Sequence, residues 1–296
     1  MRGQVKRLVA AFGQKDMRQI DAGDLQRIIA AMDTAGYEPK TIRNLWAIVR
    51  LIWDVALAHC YVDRTLPKPK LPRCSRKKPR YFRLGDVGKI IAHSQNAYRV
   101  FYWLAAETGL RAGELCALAL ADISTTSVTV NHSVWNGIVG IPKTPSAVRT
   151  VAISPQLATL LAGHLQIQRA KAHSFLFSTA AGTPWDISLF RKRKMKPLLC
   201  SLEIRPAGLH AFRHFNASLL DSLRVPLKTI QERLGHALSG SLTLDVYTHA
   251  ELPENVEAAL RAGEAIEKAV NSVNLTAIQE KGPLGGVQEA LAALIL

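Results

Sequence analysis

Residues 208–220 read GLHAFRHFNASLL, and the rest of the chain is best read outward from this stretch. Its apolar residues recur at helical spacing, so a helix is expected. Phe212, Phe215 and Leu219 share one side and can bury, while His210 and Arg213, three positions apart, share another face. Arginine offers a planar fork of donors that stays charged at any cellular pH. Histidine gives or takes a proton near neutrality. Held on the wall of a packed helix, the pair suits a phosphate. His210 and His214 are four apart, a spacing that zinc can use. No Glu follows the first His, no third ligand stands near, and Arg213 between them would repel a cation, so the segment is not read as a metal site.

The 296 residues suffice for one or two domains, each with its own core. Hydrophobic residues make up 48%, which favours a folded chain over a disordered one. Lys plus Arg number 38 against 23 Asp plus Glu, a formal net charge of +15. That surplus points to a polyanionic partner, nucleic acid first and an anionic membrane second. The cysteines, Cys60, Cys74, Cys116 and Cys200, form no C-x-x-C pair, so neither a zinc site nor a disulfide framework is expected and reduced thiols in a cytoplasmic protein fit best. MRGQVKRLVAAFGQK at the start has too short an apolar run for a signal peptide, and no stretch approaches the roughly 18 apolar residues of a membrane span. The final LAALIL is expected to dock on protein. The five Trp are scattered and form no stacking platform of the kind a single-strand binder uses.

Residues 21–62 carry helical patterns. DLQRIIAAM repeats Leu25, Ile28, Ile29 and Met32. In TIRNLWAIVRLIWDVALAHC, Thr41 is expected to cap, and Ile42, Leu45, Val49, Ile52 and Val55 to form the buried stripe. Thr65 to Arg83 then hold eight Lys or Arg and no acid, with Pro67, Pro69 and Pro72 blocking a helix. This reads as a basic linker in contact with a polyanion. A larger domain begins near Leu84. VFYWLAAETGL is an apolar helix ending at Gly109, and SVTVNHSVWNGIVGIPKTPSAVRTVAI reads as a three-stranded antiparallel sheet broken at Asn136-Gly137 and Pro145. Ser154-Pro155 opens a helix with Leu157, Leu160, Leu161 and Leu165. Residues 254–270 form another helix, and the Gly/Pro break at 282–286 is expected to set off a tail.

Arg111 in ETGLRAGEL stands at the end of an apolar helix, just after a glycine, and LGHALSGSLTLDVYTHA supplies His236 and Tyr247. Arg, then His-x-x-Arg, then Gly-His, then Tyr-Thr-His, in that order, resembles the tyrosine recombinases of the phage integrase family. The resemblance covers nearly the whole chain. It implies a mainly α fold with a small antiparallel β-sheet (α+β). Residues 1–65 would be a helical DNA core-binding domain with a shortened first helix. Residues 66–83 would be the basic linker, 84–265 the catalytic domain and 266–296 a C-terminal tail. There is no room for a further arm-binding domain, so distant accessory sites are not expected to be read by this chain.

The resemblance also assigns roles. Tyr247 matches the nucleophile that attacks a DNA phosphodiester, leaving a 3′-phosphotyrosine and a free 5′-hydroxyl, so bond energy is kept and no cofactor is needed. Arg111 and Arg213 match the two arginines on the nonbridging oxygens. His210 matches the histidine that exchanges a proton near the tyrosine, and His236 the one that donates to the phosphate. Lys143, at the hairpin in IPKTPSAVRTVAIS, is expected to protonate the leaving 5′-oxygen, with Arg149 on the next strand. Glu114 is read as a buttress or helix cap, and His214 and His249 as structural. Lys68, Lys70, Arg73, Arg76, Lys77, Lys78, Arg80, Arg191 and Arg193 are the expected DNA-binding residues. ALSGSLTLD between His236 and Tyr247 is longer than the family's usual spacing.

The implied partner is double-stranded DNA with paired recognition sites, bound by a homotetramer in the cytoplasm, on the nucleoid and away from membranes. The helix after Ala250 is expected to pack on a neighbouring protomer. Two alternatives share part of the pattern: a type IB topoisomerase-like enzyme, and a catalytically inactive DNA-binding relative. Tyr247→Phe separates the second from a recombinase.

Overall fold

The computed structural model describes residues 2–74, 81–142, 147–235 and 252–295. The chain divides into two compact units, residues 1–78 and 79–296.

The first unit is built from α1 (Arg2–Phe12), α2 (Ala22–Thr34) and α3 (Pro39–Ala58). Asp21 and Asp24 close a reciprocal capping box at the start of α2, which satisfies two backbone donors that the first turn leaves free. Glu38, not Thr41, occupies the cap position of α3, because Pro39 takes the first helical place. Thr41 therefore lies in the first turn. Ile42 and Leu45 are buried as expected, with Trp46, Trp53 and Ala56 completing the stripe. Ile52 and Val55 are exposed instead. The two indoles bury more apolar area than the smaller side chains, so the helix turns its Trp face inward. The Trp53 indole N–H finds the carbonyl of Arg64 at 2.9 Å. Residues 66–74 of the basic stretch belong to this unit. Leu66 and Leu71 pack on its core, Gln26 bonds the backbone of Lys70 in both directions, and Arg43 donates to the carbonyl of Pro72. Proline removes helix from this segment, but its two leucines are still partly buried.

The second unit begins by Phe82, which is buried and sits 4.8 Å from Phe212, ring to ring. Its centre is α5 (Asn96–Thr108), buried all round from Val100 to Thr108. Around it stand α4 (Leu84–Ala92), α7 (Pro155–Ala170), α10 (His210–Ser222) and α12 (Leu252–Ile295). Ser154 caps α7 by accepting from the amide of Leu157. The short helices α6 (Ala112–Ala117), α8 (Ile187–Phe190), α9 (Lys196–Ser201) and α11 (Leu227–Leu234) complete the helical part.

The strands are β1 (Ser127–Val130), β2 (Ser133–Trp135), β3 (Ile138–Gly140) and β4 (Arg149–Ala152). They form two antiparallel pairs, β1 with β4 and β2 with β3, not a single three-stranded sheet. The Asn136-Gly137 turn is a two-residue hairpin with φ of +50° and +77°, the pair of left-handed residues that suits the twist of the flanking strands. That hairpin is self-contained, so β1 skips it and pairs with β4, placing Val130 opposite Arg149.

Helix α12 corrects two expectations. Ala258, Ala262, Ile266 and Val270 are buried in the core of their own chain, with α12 lying against α4, α5 and α7. The catalytic unit therefore does not stop at residue 265, because the same apolar face continues for another turn. Nor does the helix stop at 282–286: it runs to Ile295. Pro283 deprives the ladder of one backbone donor, and the helical backbone continues on both sides of it.

Candidate active site

Gly109 ends α5 with φ of +62°, a left-handed cap that turns the chain sharply. A Cβ there would sit 2.6 Å from Leu234 Cδ2 and 2.9 Å from Asn216 Oδ1, so only glycine brings these elements together. Two residues later Arg111 caps α6. Its amide donates to Glu114 Oε2 at 2.9 Å, one guanidinium nitrogen donates to Glu114 Oε1 at 2.7 Å, and the other reaches the carbonyl of Gly235 at 3.2 Å. Glu114 thus caps α6 and orients Arg111.

Arg213 comes from α10. Its two terminal nitrogens donate to the carbonyls of Gly109 at 2.9 Å and Leu234 at 2.5 Å, and the residue is only 3% exposed. Burial, then the nearby Arg111 and Arg149, lower its pKa to about 10, so it remains charged at neutrality. His210 opens α10 and is exposed, with Phe212, Phe215 and Leu219 buried on the far side as the pattern predicts. Partial desolvation, then His214, Arg213 and Arg111, hold its pKa below the usual histidine value and favour the neutral ring. The His214 ring meets His210 edge to face at 4.7 Å. Among the described residues no three His, Cys, Asp or Glu gather as a metal site.

Arg149 is the residue that sequence reasoning left outside the site. Its side chain is 8% exposed. Nε donates to the carbonyl of Arg233 at 2.7 Å, while the two terminal nitrogens donate to the carbonyl of Ala147 at 2.9 Å and to Glu114 Oε2 at 3.0 Å. The signal was available in RTVA. Alternation puts Arg149 on the same face as the buried Val151, and an inward-pointing charge on a strand demands a partner. Glu114 supplies it. Burial pushes the Glu114 carboxyl up, but Arg149 and Arg111 outweigh that and hold it below the ordinary carboxylate value.

Beneath this layer lies a second polar cluster. Arg233 is 1% exposed and donates to the carbonyls of Asn255 at 3.0 Å and Glu107 at 3.2 Å, and to Asn255 Oδ1. Glu107 accepts from the Ser154 amide at 2.6 Å, the Ser154 hydroxyl at 2.8 Å and the Trp103 indole at 3.0 Å. It ties α5 to α7.

Among the expected DNA-binding residues, Lys68, Lys70 and Arg73 are exposed on the first unit. Arg191 and Arg193 are exposed on a π-turn, Arg191–Met195, between α8 and α9. Arg191 also lies by Gly208, at the entrance to α10, along a 500 Å³ groove lined by Lys192, Lys196 and Pro206. Lys143, His236, Tyr247, His249, Arg76, Lys77, Lys78 and Arg80, and the side chains of the final LAALIL, lie outside the described residues. No helix among the described residues is long and apolar enough to cross a membrane.

Residues 80–253 match the phage integrase family. The chain is 28% identical over 257 residues to the ICEBs1 integrase of Bacillus subtilis (strain 168), covering 80% of this chain and 69% of that protein. It is 29% identical over 260 residues to a XerC-like tyrosine recombinase of Caldanaerobacter subterraneus subsp. tengcongensis, covering 76% of this chain and 66% of that protein. The chain thus spans about two thirds of the length of these relatives. In fold it resembles the Tn1549 transposon integrase in complex with a circular intermediate DNA, with a TM-score of 0.66 at 18% identity over 86% of this chain and 90% of that one. A lambda integrase dimer bound to a core site gives 0.59 at 14% identity, over 87% and 86%. The chain belongs to the phage integrase family and is a tyrosine-type site-specific DNA recombinase.

Proposed function

We propose that the reaction runs through Tyr247, with Arg111 and Arg213 on the scissile phosphate. The observation that carries this reading is the convergence of the two arginines. They lie 102 positions apart in sequence, yet they bond the adjacent carbonyls of Leu234 and Gly235, and the next residue in the chain is His236. A phosphate that meets both guanidiniums therefore stands near Gly235, from which the chain runs on to His236.

In this reading the Tyr247 hydroxyl attacks phosphorus and the 5′-oxygen of the neighbouring nucleotide leaves. A tyrosine pKa near 10 means that the nucleophile must lose its proton as it attacks. The neutral ring of His210 is suited to accept it. Charge grows on the nonbridging oxygens, where fixed guanidiniums stabilise the transition state more than the ground state. Lys143 returns a proton to the leaving oxygen. The phosphotyrosine keeps the energy of the broken bond, so the 5′-hydroxyl of another strand can reverse the step.

Lys68, Lys70 and Arg73 on the first unit, and Arg191 and Arg193 on the second, supply backbone contacts. Affinity should then fall steeply with salt. Exchange of strands between paired sites calls for four protomers, a tetramer assembled on DNA in the cytoplasm.

The test uses a duplex carrying inverted repeats from beside the gene, nicked so that cleavage releases a short fragment and traps the enzyme. The wild type should give a covalent adduct on a denaturing gel, mapped by mass spectrometry to Tyr247. Tyr247→Phe should give none while binding the same DNA. An adduct that persists in Tyr247→Phe would refute the assignment. Binding without any wild-type adduct would favour a DNA-binding role alone.

A further inference from the structure

Three guanidiniums from three elements bond three consecutive carbonyls. Arg149 of β4 takes that of Arg233, Arg213 of α10 that of Leu234, and Arg111 at the start of α6 that of Gly235. These are the last carbonyls of α11 and its cap, which the helix cannot satisfy itself. They also form the negative end of the helix dipole, so cations there are favoured. Gly235 has φ of +61°, and a Cβ on it would sit 2.9 Å from a terminal nitrogen of Arg149. The glycine therefore both ends the helix and lets the Arg149 guanidinium come close to the backbone.

Arg149 differs from the other two. Its three protein bonds come from all three of its nitrogens, whereas Arg111 and Arg213 each donate from the two terminal ones. Through Glu114 it reaches Arg111, since the carboxylate receives Arg149 on Oε2 and the Arg111 side chain on Oε1. Through the Arg233 carbonyl it reaches the end of α11. We propose that Arg149 is a positioning residue of the recombination reaction, clamping Arg111 and the exit of α11 in one register without touching the DNA. The inference rests on the assignment of Arg111 to the scissile phosphate. It follows from the bond pattern: one side chain fixes both the phosphate-binding guanidinium and the point where the chain departs toward His236. Lysine keeps the charge but has one nitrogen in place of three and cannot span the sites.

The test compares the full-length wild type with Arg149→Lys and Arg149→Gln. At saturating nicked DNA, Arg149→Lys should slow adduct formation by on the order of 10- to 100-fold, the cost of a misplaced catalytic group. Its affinity for DNA should be unchanged. The penalty should shrink in an Arg111→Ala background, because residues acting along one path are not additive. In the DNA-free protein, amide exchange should rise in the peptide spanning 230–240, while peptides from α5 and α7 exchange as in the wild type. Weaker binding with an unchanged rate at saturation would overturn the proposal, because Arg149 would then be a DNA contact. A penalty that adds in full to that of Arg111→Ala, or unchanged exchange at 230–240, would also overturn it. If the wild type forms no adduct, the reading of Arg111 fails, and the exchange comparison still decides whether Arg149 clamps α11.

Discussion

The two units of this recombinase treat charge in opposite ways. In the first, the core is tryptophan and aliphatic, and the cations Arg18, Lys15 and Arg27 stay in contact with solvent even where their partner carboxylate, Asp24, is buried. In the second, Glu107, Glu114, Arg213 and Arg233 are all at most 3% exposed. Burying ions is costly unless every group finds partners. The second unit meets that cost with carbonyls at helix ends and with two carboxylates, Glu107 and Glu114, that each receive several donors. The contrast separates gripping DNA from reacting with it. Solvated charges suffice to hold a polyanion, whereas a transition state needs charges already fixed in place.

The strongest way to break this contrast is to remove a fixed charge. Arg213→Ala should reduce single-turnover cleavage by at least about 10²–10³, the usual cost of one oxyanion donor. A single-turnover assay at saturating DNA checks this, and Arg213→Ala cleaving at the wild-type rate would sink the comparison. Next comes the layer beneath. Arg233→Met should lower stability by about 3–5 kcal/mol, because it strips donors from the Asn255 and Glu107 carbonyls and leaves the Glu107 charge less compensated. Chemical denaturation measures it.

The first unit should respond differently. Trp53→Ala removes a buried indole and should cost that unit about 3–5 kcal/mol. DNA affinity should fall, while the melting of the second unit, followed by calorimetry, stays in place. The smallest effect sharpens the electrostatic part. The folded pKa of Glu114 is depressed, so its stabilisation is present above the ordinary carboxylate pKa. That stabilisation is lost as pH falls through the lower folded value. The stability difference between wild type and Glu114→Gln should therefore be largest near neutrality and shrink in acid. A difference independent of pH would show that the carboxylate charge is not what holds the two arginines.

Much of the fold was legible because local chemistry dictated it. Asp21, Ser154 and Gly109 mark helix ends by capping, and Asn136-Gly137 marks a hairpin, each through contacts within a few residues. His210 and Arg213 stood out because charged residues on an otherwise apolar helix need a reason. The misreadings had non-local causes. Ile52 and Val55 fit the helical period as well as Trp46 and Trp53 do, and only packing volume chose between them. The pairing of β1 with β4 joins strands that lie on either side of a self-contained hairpin, so alternation within each strand does not reveal it.

By itself, then, the sequence determined the residue types, their order and the elements that carry them, because helix periodicity, capping and turn chemistry act over a few residues. It therefore also determined the family. Only the tertiary structure decided that Arg111, Arg149 and Arg213 meet on three consecutive carbonyls of α11. Those contacts join residues up to 124 positions apart. No local rule reaches that distance. They form because guanidiniums withdrawn from solvent, Arg149 and Arg213 above all, must find acceptors, and the end of α11 is where unsatisfied acceptors stand.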